Sequence, residues 1–568
     1  MKHLLSLIAF IIYVSCHSKS EKQATITTKK TQPNIVWIVT EDISPTLSFY
    51  GDSTAKTPHL DALAKESLIY DNAFAVVGVC APTRSSIITG MYPTTIGTMH
   101  MRTGQDVMNL GKRTYSETDR TDLKGNAIIQ YSAVIPEDVK CYTEYLRAAG
   151  YYCTNNQKTD YQFAAPVTAW DENSNKAHWR NAPKGQPFFS VFNIGTTHES
   201  QLWKKSDLTL TVNPDDVKVP PYFPDNEATR NTIARHYSNI ELMDAKVGAF
   251  IQELKDDSLY ENTIVFFYSD HGGPLPRQKR EIYDSGLKVP FMIKGLAKKG
   301  RTNRMISFVD LAPTMLSLAG IEPPEYLEGH AFLGEFKTDA RDYIFGSSDR
   351  FDEFTDRIRA VRDYQFLYLR NEFPELPKYK DLGYRKNVPM MPTFLELKQE
   401  NRLNRVQKIW FETKNKEELY DCKADPHNIN NLAKNPEYAS VLSKMRTTLE
   451  THLKNRPDLG LQPEAELINT MWPNFEQPVT DTVTLSTSTA LSTGSVETPH
   501  DKTITLTCAT KGASIGYYVS DKPDEKLDLN CRWQLYCKPF SVEKGKTIYT
   551  IAQRIGYRES DITSHKIE

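Results

Sequence analysis

The chain has 568 residues, of which 39% are hydrophobic, 25% charged and 11% aromatic, which is ordinary usage for a globular protein. This composition excludes disorder, collagen and coiled coil for most of the chain, and the length predicts about three to four domains or one large α/β domain with attachments. Lys and Arg number 69 and Asp and Glu 71, so the net charge of −2 favours neither nucleic acid nor an anionic membrane as a partner.

The first 22 residues predict an export signal. A short basic start precedes the apolar run 4–14, which is shorter than the roughly 20 residues that a transmembrane helix needs. The sequence YVSC, which ends at Cys16, resembles a bacterial lipobox, whose cysteine is lipidated after cleavage; plain secretion is the alternative. We therefore expect a protein of the periplasm or cell surface whose only membrane contact is a lipid on Cys16, followed by the polar tether 23–32.

Three buried strands of the chain end in residues that can carry chemistry. The middle region alternates apolar runs with amphipathic helices, which is typical of a parallel α/β sheet. The strands and the residues that follow them are 35–39 with Glu41 and Asp42, 188–194 with His198, and 264–268 with Asp270 and His271. Because ligands bind beyond the carboxyl ends of such strands, these residues predict one site at one edge of the sheet.

The segment CAPTRSSIITG, residues 80–90, predicts a short helix that begins next to Cys80. Pro82 favours the first helical turn and Gly90 favours the exit of the helix. The free N–H groups and the positive end of the helix dipole suit an anion. Arg84, about one turn into the helix, has a guanidinium group that can bind sulfate or phosphate oxygens in a bidentate way.

This segment, C-x-P-[ST]-R with a Thr-Gly exit, resembles the signature of the type I, formylglycine-dependent sulfatases of the alkaline phosphatase superfamily. Further matching segments include PNIV at 33–36, TPHLD at 57–61 and LYD at 419–421, so the resemblance extends over roughly residues 33–460. Wording such as TTHES and RQKREIYD is nearer the heparan N-sulfatase-like branch. The resemblance implies an alkaline-phosphatase-like α/β fold, a mostly parallel sheet flanked by helices, with a smaller α+β subdomain after it.

The end of the chain changes to short β runs, which predict an appended all-β module. This module resembles the one found behind chitobiase and hexosaminidase enzymes, and we interpret it as a spacer or a weak carbohydrate-contact module. Its cysteines, Cys508, Cys531 and Cys537, leave both a disulfide and free thiols open. The predicted divisions are a catalytic domain over 33–375, a C-terminal sulfatase subdomain over 376–477, a linker or edge strand over 478–499 and a small β-sandwich over 500–568.

In the sulfatase family, the motif cysteine is oxidised to formylglycine, and its hydrated aldehyde is the nucleophile. The resemblance assigns this role to Cys80 and implies a formylglycine-generating maturase as a partner. A hydrated aldehyde has a second hydroxyl, whose deprotonation expels sulfate and restores the aldehyde. The difficult hydrolysis is thereby divided into two easier steps.

The resemblance also implies one divalent cation. Its ligands would be Glu41, Asp42, Cys80, Asp270 and His271. Carboxylates favour Ca²⁺. Glu41 replaces the usual Asp, and His271 stands where the family has Asn or His, so Mn²⁺ and Mg²⁺ are the alternatives.

The remaining catalytic residues that the resemblance implies are Arg84, Lys158, His198 and Lys279. Lys279 has the spacing of the family's sulfate-binding lysine, with Arg280 as the competing assignment. His198 would protonate the leaving alcohol, a role that suits an imidazole. Asp160 stands where many sulfatases have a histidine, which leaves the general base open.

We predict an enzyme that hydrolyses sulfate esters of a sulfated polysaccharide or its oligosaccharides, either algal, such as ulvan or carrageenan, or glycosaminoglycan. One alternative is a phosphonate monoester or phosphodiester hydrolase of the same superfamily. Another is a non-catalytic glycan-binding lipoprotein. Four arginines predict a solvated charged face, with contact to an acidic sugar as the alternative; they are Arg350, Arg357, Arg359 and Arg362.

Overall fold

An eight-stranded sheet, called the large sheet below, forms the centre of the structure. The computed structural model describes residues 32–104, 115–489 and 501–568, so the predicted export signal and the lipidation site Cys16 lie outside the described residues. The strands are β1 Asn34–Thr40, β2 Ser67–Phe74, β3 Tyr152–Asn156, β4 Glu172–Asn173, β5 Phe188–Ile194, β6 Thr263–Ser269, β7 Phe291–Lys294 and β8 Gly300–Ser307. Their order is β4-β3-β5-β1-β6-β7-β2-β8, and β7 alone runs antiparallel to its neighbours in this sheet.

Helices cover both faces of the large sheet. The helices of the chain are α1 Pro58–Lys65, α2 Cys80–Thr89, α3 Pro93–Ile96, α4 Tyr142–Ala148, α5 Gln201–Lys204, α6 Glu227–Asp256, α7 Asp284–Leu287, α8 Leu311–Leu318, α9 Met391–Gln399, α10 Arg405–Lys408, α11 Ala439–Lys454 and α12 Glu464–Met471. None of the helices in the three described ranges is both long enough and apolar enough to cross a bilayer.

The central strand β1 is buried on both faces, as its unbroken apolar sequence predicts. Because side chains alternate along a strand, Val36 and Ile38 pack against α1 and α6. Ile35 and Trp37 point to the other face and pack against α2, α4 and α8. The predicted fold, a mostly parallel sheet flanked by helices, is confirmed.

A second, four-stranded antiparallel sheet follows the large one. Its strands are β9 Ile344–Ser348, β10 Ile358–Arg362, β11 Phe366–Asn371 and β12 Glu417–Asp421, in the order β12-β11-β10-β9. Helix α11 packs on this sheet through Met445 and Leu449. The sheet joins strands from both sides of residue 375, the predicted end of the catalytic domain.

The C-terminal residues form two small antiparallel sheets that share an apolar core, as the predicted all-β module requires. The first consists of β13 Thr484–Thr489, β14 Asp501–Thr507 and β17 Phe540–Glu543; the second consists of β15 Ser514–Ser520, β16 Gln534–Leu535, β18 Thr547–Gln553 and β19 Thr563–Lys566. β13 is an edge strand within the segment predicted as a linker or edge strand. The three cysteines of the module are free thiols.

The module is docked on the region of α4 by buried contacts. The Arg554 guanidinium donates hydrogen bonds to the carbonyl oxygens of Ile135, at 2.6 Å, and Pro136, at 3.3 Å. In the other direction, Arg147 of α4 donates to the carbonyl oxygen of Trp533 at 2.7 Å. Ile555 is buried in the same apolar core as α4. The module therefore shares a core with the large sheet.

Three of the four arginines predicted to form a solvated face are instead buried. Their partners are Glu464 for Arg350, Asp349 and Asp458 for Arg359, and Asp284 for Arg362. Arg357 is half-buried, with its guanidinium carbon 5.2 Å from the centre of the Phe373 ring. The prediction was wrong for the buried three because a buried guanidinium requires a carboxylate partner, and Glu464, Asp458 and Asp284 are distant from their arginines along the chain.

The buried pair of Glu464 and Arg350 predicts acid-sensitive stability. Burial raises the pKa of Glu464, but Arg350 and His100 outweigh it and lower that pKa to about 2, below its ordinary value of 4.5. A folded-state pKa below the unfolded value stabilises the fold above pH 4.5, and this contribution is lost as the pH falls towards 2. We expect about 3 kcal/mol of unfolding free energy to be lost in this way.

The measurement is the melting temperature of wild type and Glu464→Gln between pH 7 and pH 2.5. The variant is expected to melt lower at pH 7 and to show a shallower decline below pH 4.5. Glu466→Gln, on the exposed face of the same helix, is the control and is expected to follow the wild type. Parallel wild-type and Glu464→Gln curves would contradict this account.

Candidate active site

The predicted site residues of β1, β5 and β6 meet at one edge of the large sheet. Thr40, the last residue of β1, is in register with Ile194 of β5 and Ser269 of β6. Because the three strands are parallel neighbours, the residues that follow them share one edge. Glu41 and Asp42 are buried there next to the segments that carry His198 and Asp270.

Asp42 is the centre of the site. Its Oδ2 accepts hydrogen bonds from Lys279 Nζ and from the backbone N–H of Glu199, both at 2.6 Å. Its Oδ1 lies 3.2 Å from Nε2 of His271, an ion-pair distance. Burial raises the pKa of Asp42, but Lys279, His198 and His271 outweigh it and hold that pKa well below its ordinary value. Asp42 is therefore an anion whose two oxygens face Lys279 and His271.

Asp270 and His271 complete an acidic group with Asp42. The Asp270 carboxylate accepts a hydrogen bond from Arg84 Nε at 3.1 Å through Oδ2, and one from the backbone N–H of Asp42 at 3.3 Å through Oδ1. His271 donates from Nδ1 to the carbonyl oxygen of Gly272 at 3.0 Å, so its Nε2 faces the two carboxylates. One ligand atom from each of the three residues lies within 4.8 Å of the others.

Glu41 belongs to a second, overlapping group with Asp42 and His198. Its Oε2 lies 3.1 Å from Lys158 Nζ and 3.8 Å from His198 Nε2. The predicted carboxylate ligands are thus divided between two groups, which share Asp42. The chemistry of the donor set, three carboxylates and two imidazoles, fits a divalent cation.

Cys80 is the first residue of α2 and is buried. Pro82 occupies the first turn, and the helix ends at Gly90 in a left-handed conformation with φ 70°, as the sequence predicts. The Cys80 thiol lies beside the ring of His271. It also lies within electrostatic range of the cations of Arg84, Lys158 and Lys279. The residue predicted as the nucleophile is therefore next to the predicted metal ligands.

Three cations surround this position: Arg84 and Lys279 are buried, and 14% of the Lys158 side chain is exposed. Burial lowers the pKa of Arg84, Lys158 and Lys279, but neighbouring carboxylates outweigh it and raise each pKa above its ordinary value. All three therefore stay charged. Arg84 also donates to Asn193 Oδ1 at 2.7 Å, which fixes the guanidinium against β5.

His198 is partly exposed at the opening of the site, with 19% of its side chain accessible. Burial, followed by the charge of Lys279, lowers its pKa to about 3, so the imidazole is neutral at pH 7. Its Nδ1 accepts a hydrogen bond from the backbone N–H of Ser200 at 3.2 Å. The neutral ring thus carries its proton on Nε2, on the side of Glu41.

Arg280, the competing assignment, is held away from Asp42. Its Nη1 donates to both carboxylate oxygens of Glu199, at 3.0 and 2.9 Å, and its Nε donates to Asp352 at 3.1 Å. The geometry favours Lys279 as the site lysine. A carboxylate oxygen of Asp160 lies 3.5 Å from Lys158 Nζ.

Sequence reasoning missed two residues of this region. Asn193 binds Arg84, and Glu199 binds Arg280 and supplies a backbone N–H to Asp42. The signal for Asn193 was a polar residue near the end of an apolar strand. Glu199 directly follows the predicted His198, but its partner, Arg280, comes from a distant segment.

The comparisons with known proteins agree with the site. The family model described as Sulfatase matches residues 33–321. A protein of Formosa agariphila named ulvan-active sulfatase is 43% identical to this chain and covers 98% of it and 96% of its own length. Human N-sulphoglucosamine sulphohydrolase is 28% identical, over 71% of this chain and 87% of its own length.

Among solved structures, the phosphonate monoester hydrolase of Silicibacter pomeroyi superposes with a TM-score of 0.52 at 16% identity, over 76% of this chain and 97% of that one. This likeness shows a shared fold alone.

Sulfatases generally use formylglycine and a metal ion, and the site has a motif cysteine beside an acidic cluster. Because the family model covers half of the chain and a 43% identical relative covers nearly all of it, this chain belongs to the sulfatase family and is a sulfuric ester hydrolase.

Proposed function

We propose that this protein hydrolyses sulfate esters of a sulfated polysaccharide or its oligosaccharides, with Cys80 converted to formylglycine. The observation that carries the proposal is the position of Cys80, at the start of α2, among three cations, of which two are buried, and beside His271. The ulvan-active relative at 43% identity supports a polysaccharide substrate. An oxidising maturase is the partner that this conversion requires.

Formylglycine, when present, supplies a hydrated aldehyde with one hydroxyl for attack on sulfur and a second whose deprotonation expels sulfate. The chain's own residues bind and orient the sulfate group. Arg84, Lys158 and Lys279 place three positive charges where negative charge develops on the sulfate oxygens. Arg84 and Lys279 are buried and only 14% of the Lys158 side chain is exposed, so water screens these charges little.

His198 is the hydrogen-bond donor to the leaving alcohol oxygen. Its ring is neutral, so full proton transfer, the role predicted from the sequence, requires the charged imidazolium and stays a prediction. Its Nε2 carries the proton, because the backbone N–H of Ser200 occupies Nδ1. The ring is partly exposed at the opening of the site, on the side where the alcohol departs into solvent. A neutral imidazole donates a hydrogen bond to the oxygen as the bond to sulfur breaks.

We propose Ca²⁺ as the cation, held by Asp42, Asp270 and His271, with Glu41 and the modified Cys80 beside them. Three of these residues offer carboxylate oxygens, which Ca²⁺ prefers. The imidazole keeps Mn²⁺ and Mg²⁺ as alternatives. A bound divalent cation supplies Lewis-acid polarisation of the reacting oxygens.

Export of the protein and a lipid anchor on Cys16 also belong to this proposal. They rest on the sequence YVSC after a short apolar run. A periplasmic or cell-surface location suits an enzyme whose substrate is a large external polysaccharide.

The test is a comparison of kcat/KM of the matured enzyme on 4-nitrophenyl sulfate and on bis(4-nitrophenyl) phosphate. We expect the sulfate ester to be preferred by about 10²-fold or more. Preference for the phosphodiester would support the phosphonate or phosphodiester hydrolase instead. Release of sulfate from ulvan, carrageenan and glycosaminoglycan oligosaccharides then identifies the natural substrate. Binding of these glycans without turnover would support the non-catalytic alternative.

A further inference from the structure

Three asparagines form a row of hydrogen bonds that ends at Arg84. We call the row the asparagine ladder; its members are Asn173 on β4, Asn155 on β3 and Asn193 on β5. Asn155 Nδ2 donates to Asn173 Oδ1 at 2.8 Å, and Asn193 Nδ2 donates to Asn155 Oδ1 at 2.9 Å. Asn193 Oδ1 accepts from Arg84 Nη1 at 2.7 Å. The ladder therefore crosses three neighbouring strands of the large sheet.

The positive charge at the end of the ladder determines its direction. A guanidinium group only donates hydrogen bonds, so the amide oxygen of Asn193 faces Arg84 and the amide nitrogen faces Asn155. The same rule turns the oxygen of Asn155 towards Asn193 and its nitrogen towards Asn173. The negative ends of the amide dipoles therefore point towards the cation, and each hydrogen bond polarises the next one.

The ladder also holds the segment that carries Lys158. Asn155 Nδ2 donates to the carbonyl oxygen of Lys158 at 3.1 Å, in addition to its bond within the ladder. Asn193 Nδ2 likewise donates to the carbonyl oxygen of Asn156 at 3.2 Å. From this segment the Lys158 ammonium reaches Glu41, at 3.1 Å. One network of amides thus positions two of the three cations around Cys80.

Packing alone does not fix the Arg84 side chain. A cavity of about 30 Å³ is lined by Arg84, Lys158, Asn155 and Asn193, and most of its other lining residues are aromatic or aliphatic. A guanidinium that lost its amide partner would have space to move there. Asn155 is 1% exposed, and burial of an amide costs free energy unless the amide is hydrogen-bonded. The ladder satisfies the amide of Asn155 and the guanidinium together.

An amide holds the guanidinium without neutralising its charge. Asp270 already places one carboxylate against Arg84, with its Oδ2 3.1 Å from both Nε and Nη2. A second carboxylate in place of Asn193 would hold the guanidinium equally well, but it would offset the positive charge that attracts sulfate oxygens. The neutral side chain of Asn193 supplies the hydrogen bond alone.

We propose that the asparagine ladder positions Arg84 and Lys158 for the reaction and leaves their charges available to the sulfate group. Its members are positioning residues, because they act on the sulfate through these two cations. A displacement of about 1 Å of a group that orients the reacting atoms can cost about 10²-fold in rate. The inference rests on the proposed function, in which both cations bind the sulfate group.

The test is the kinetics of Asn155→Leu and Asn193→Leu on 4-nitrophenyl sulfate. Leucine has a similar shape but no hydrogen-bonding atoms, so each variant breaks the ladder. We expect each variant to lower kcat/KM by about 10- to 100-fold and to raise the inhibition constant of inorganic sulfate by about tenfold. The inhibition constant does not depend on the fraction of folded enzyme, so a merely structural role would not change it.

The double variant tests whether the two residues act as one unit. Because the first break already releases Arg84, the Asn155→Leu, Asn193→Leu enzyme is expected to stay within about threefold of the worse single variant. Losses that multiply would overturn the inference. If leucine at position 155 prevents folding, Asn155→Asp replaces it, because aspartate keeps the shape but loses both donated hydrogen bonds.

Asn193→Asp tests the role of charge. The aspartate keeps an oxygen that accepts from Arg84 Nη1, but it adds a negative charge beside the guanidinium. We expect the inhibition constant of inorganic sulfate to rise at least as much as in Asn193→Leu, by about tenfold or more. Wild-type affinity for sulfate in Asn193→Asp would overturn the inference that a neutral partner is required.

Asn181→Leu is the matched control. Asn181 Nδ2 also donates to one side chain, that of Glu172 at 2.8 Å, and to one carbonyl oxygen, that of Lys176 at 3.1 Å. Asn181 is exposed and lies outside the ladder. Its replacement is expected to change kcat/KM and sulfate inhibition by less than about twofold. An equal loss in Asn181→Leu would contradict a specific role of the ladder.

A binding measurement separates this inference from the proposed function. In a Cys80→Ser background, calorimetry is expected to show that inorganic sulfate binds about tenfold more weakly when Asn155→Leu is added. If the wild type hydrolysed no sulfate ester but this difference appeared, the proposed function would fail and the ladder would stand. Hydrolysis of sulfate esters together with equal sulfate affinity of the two proteins would overturn the ladder alone.

Discussion

Replacement of Cys80 by Ala is expected to lower kcat on any sulfate ester by at least about 10⁴-fold, because the nucleophile is lost. The three cations around the position remain, so binding of a sulfated oligosaccharide is expected to stay within about threefold of wild type. Cys80→Ser is expected to be as inactive in steady state. A serine sulfate has no second hydroxyl whose deprotonation could expel sulfate, so the variant completes at most one turnover.

Peptide mass spectrometry of residue 80 tests whether the cysteine has been converted to formylglycine. The active protein is expected to show oxygen in place of sulfur and two fewer hydrogens, and its activity is expected to follow the converted fraction. Cys153→Ala is the control, because Cys153 is an equally buried free thiol on β3. Turnover by Cys80→Ala at more than a small fraction of the wild-type rate would refute the role of Cys80.

The placement of this residue was predictable because each step is local. Pro82 and Gly90 define the bounds of α2, and unbroken apolar runs define β1 and β6. Parallel strands bring their carboxyl ends to one edge, so Asp42 and Asp270 had to meet. The family motif then assigned the chemistry, which geometry alone does not.

What the sequence did not predict depends on partners distant along the chain. No feature of the sequence near Arg350 indicates that Glu464 is its partner. A buried ion pair was therefore mistaken for a solvated face. Glu41 was grouped with one set of metal ligands, but its longer side chain reaches Lys158 and forms a second group.

Removal of divalent cations is expected to lower kcat/KM by at least about 10²-fold and to lower the melting temperature. Asp42 and Asp270 are buried carboxylates in one group, and a cation offsets their mutual repulsion in addition to polarising the reacting oxygens. An ion present at 100 times its dissociation constant stabilises the fold by about 2.7 kcal/mol. Dialysis against EDTA, followed by activity and melting measurements, checks both effects. Ca²⁺ is expected to restore them more completely than Mn²⁺ or Mg²⁺.

Asp42→Asn distinguishes a specific site from general effects of chelation. The variant loses the carboxylate that both acidic groups share, so its activity is expected to fall by about 10²-fold or more and its melting temperature to become insensitive to Ca²⁺. Asp71→Asn, an exposed carboxylate paired with Arg301 on the edge of the large sheet, is expected to keep the full response. Full wild-type activity in protein that elemental analysis shows to be free of divalent metal would rule out the cation. A Ca²⁺-dependent rise in the melting temperature of Asp42→Asn would place the ion elsewhere, because Asp42 belongs to both of the groups that could hold it.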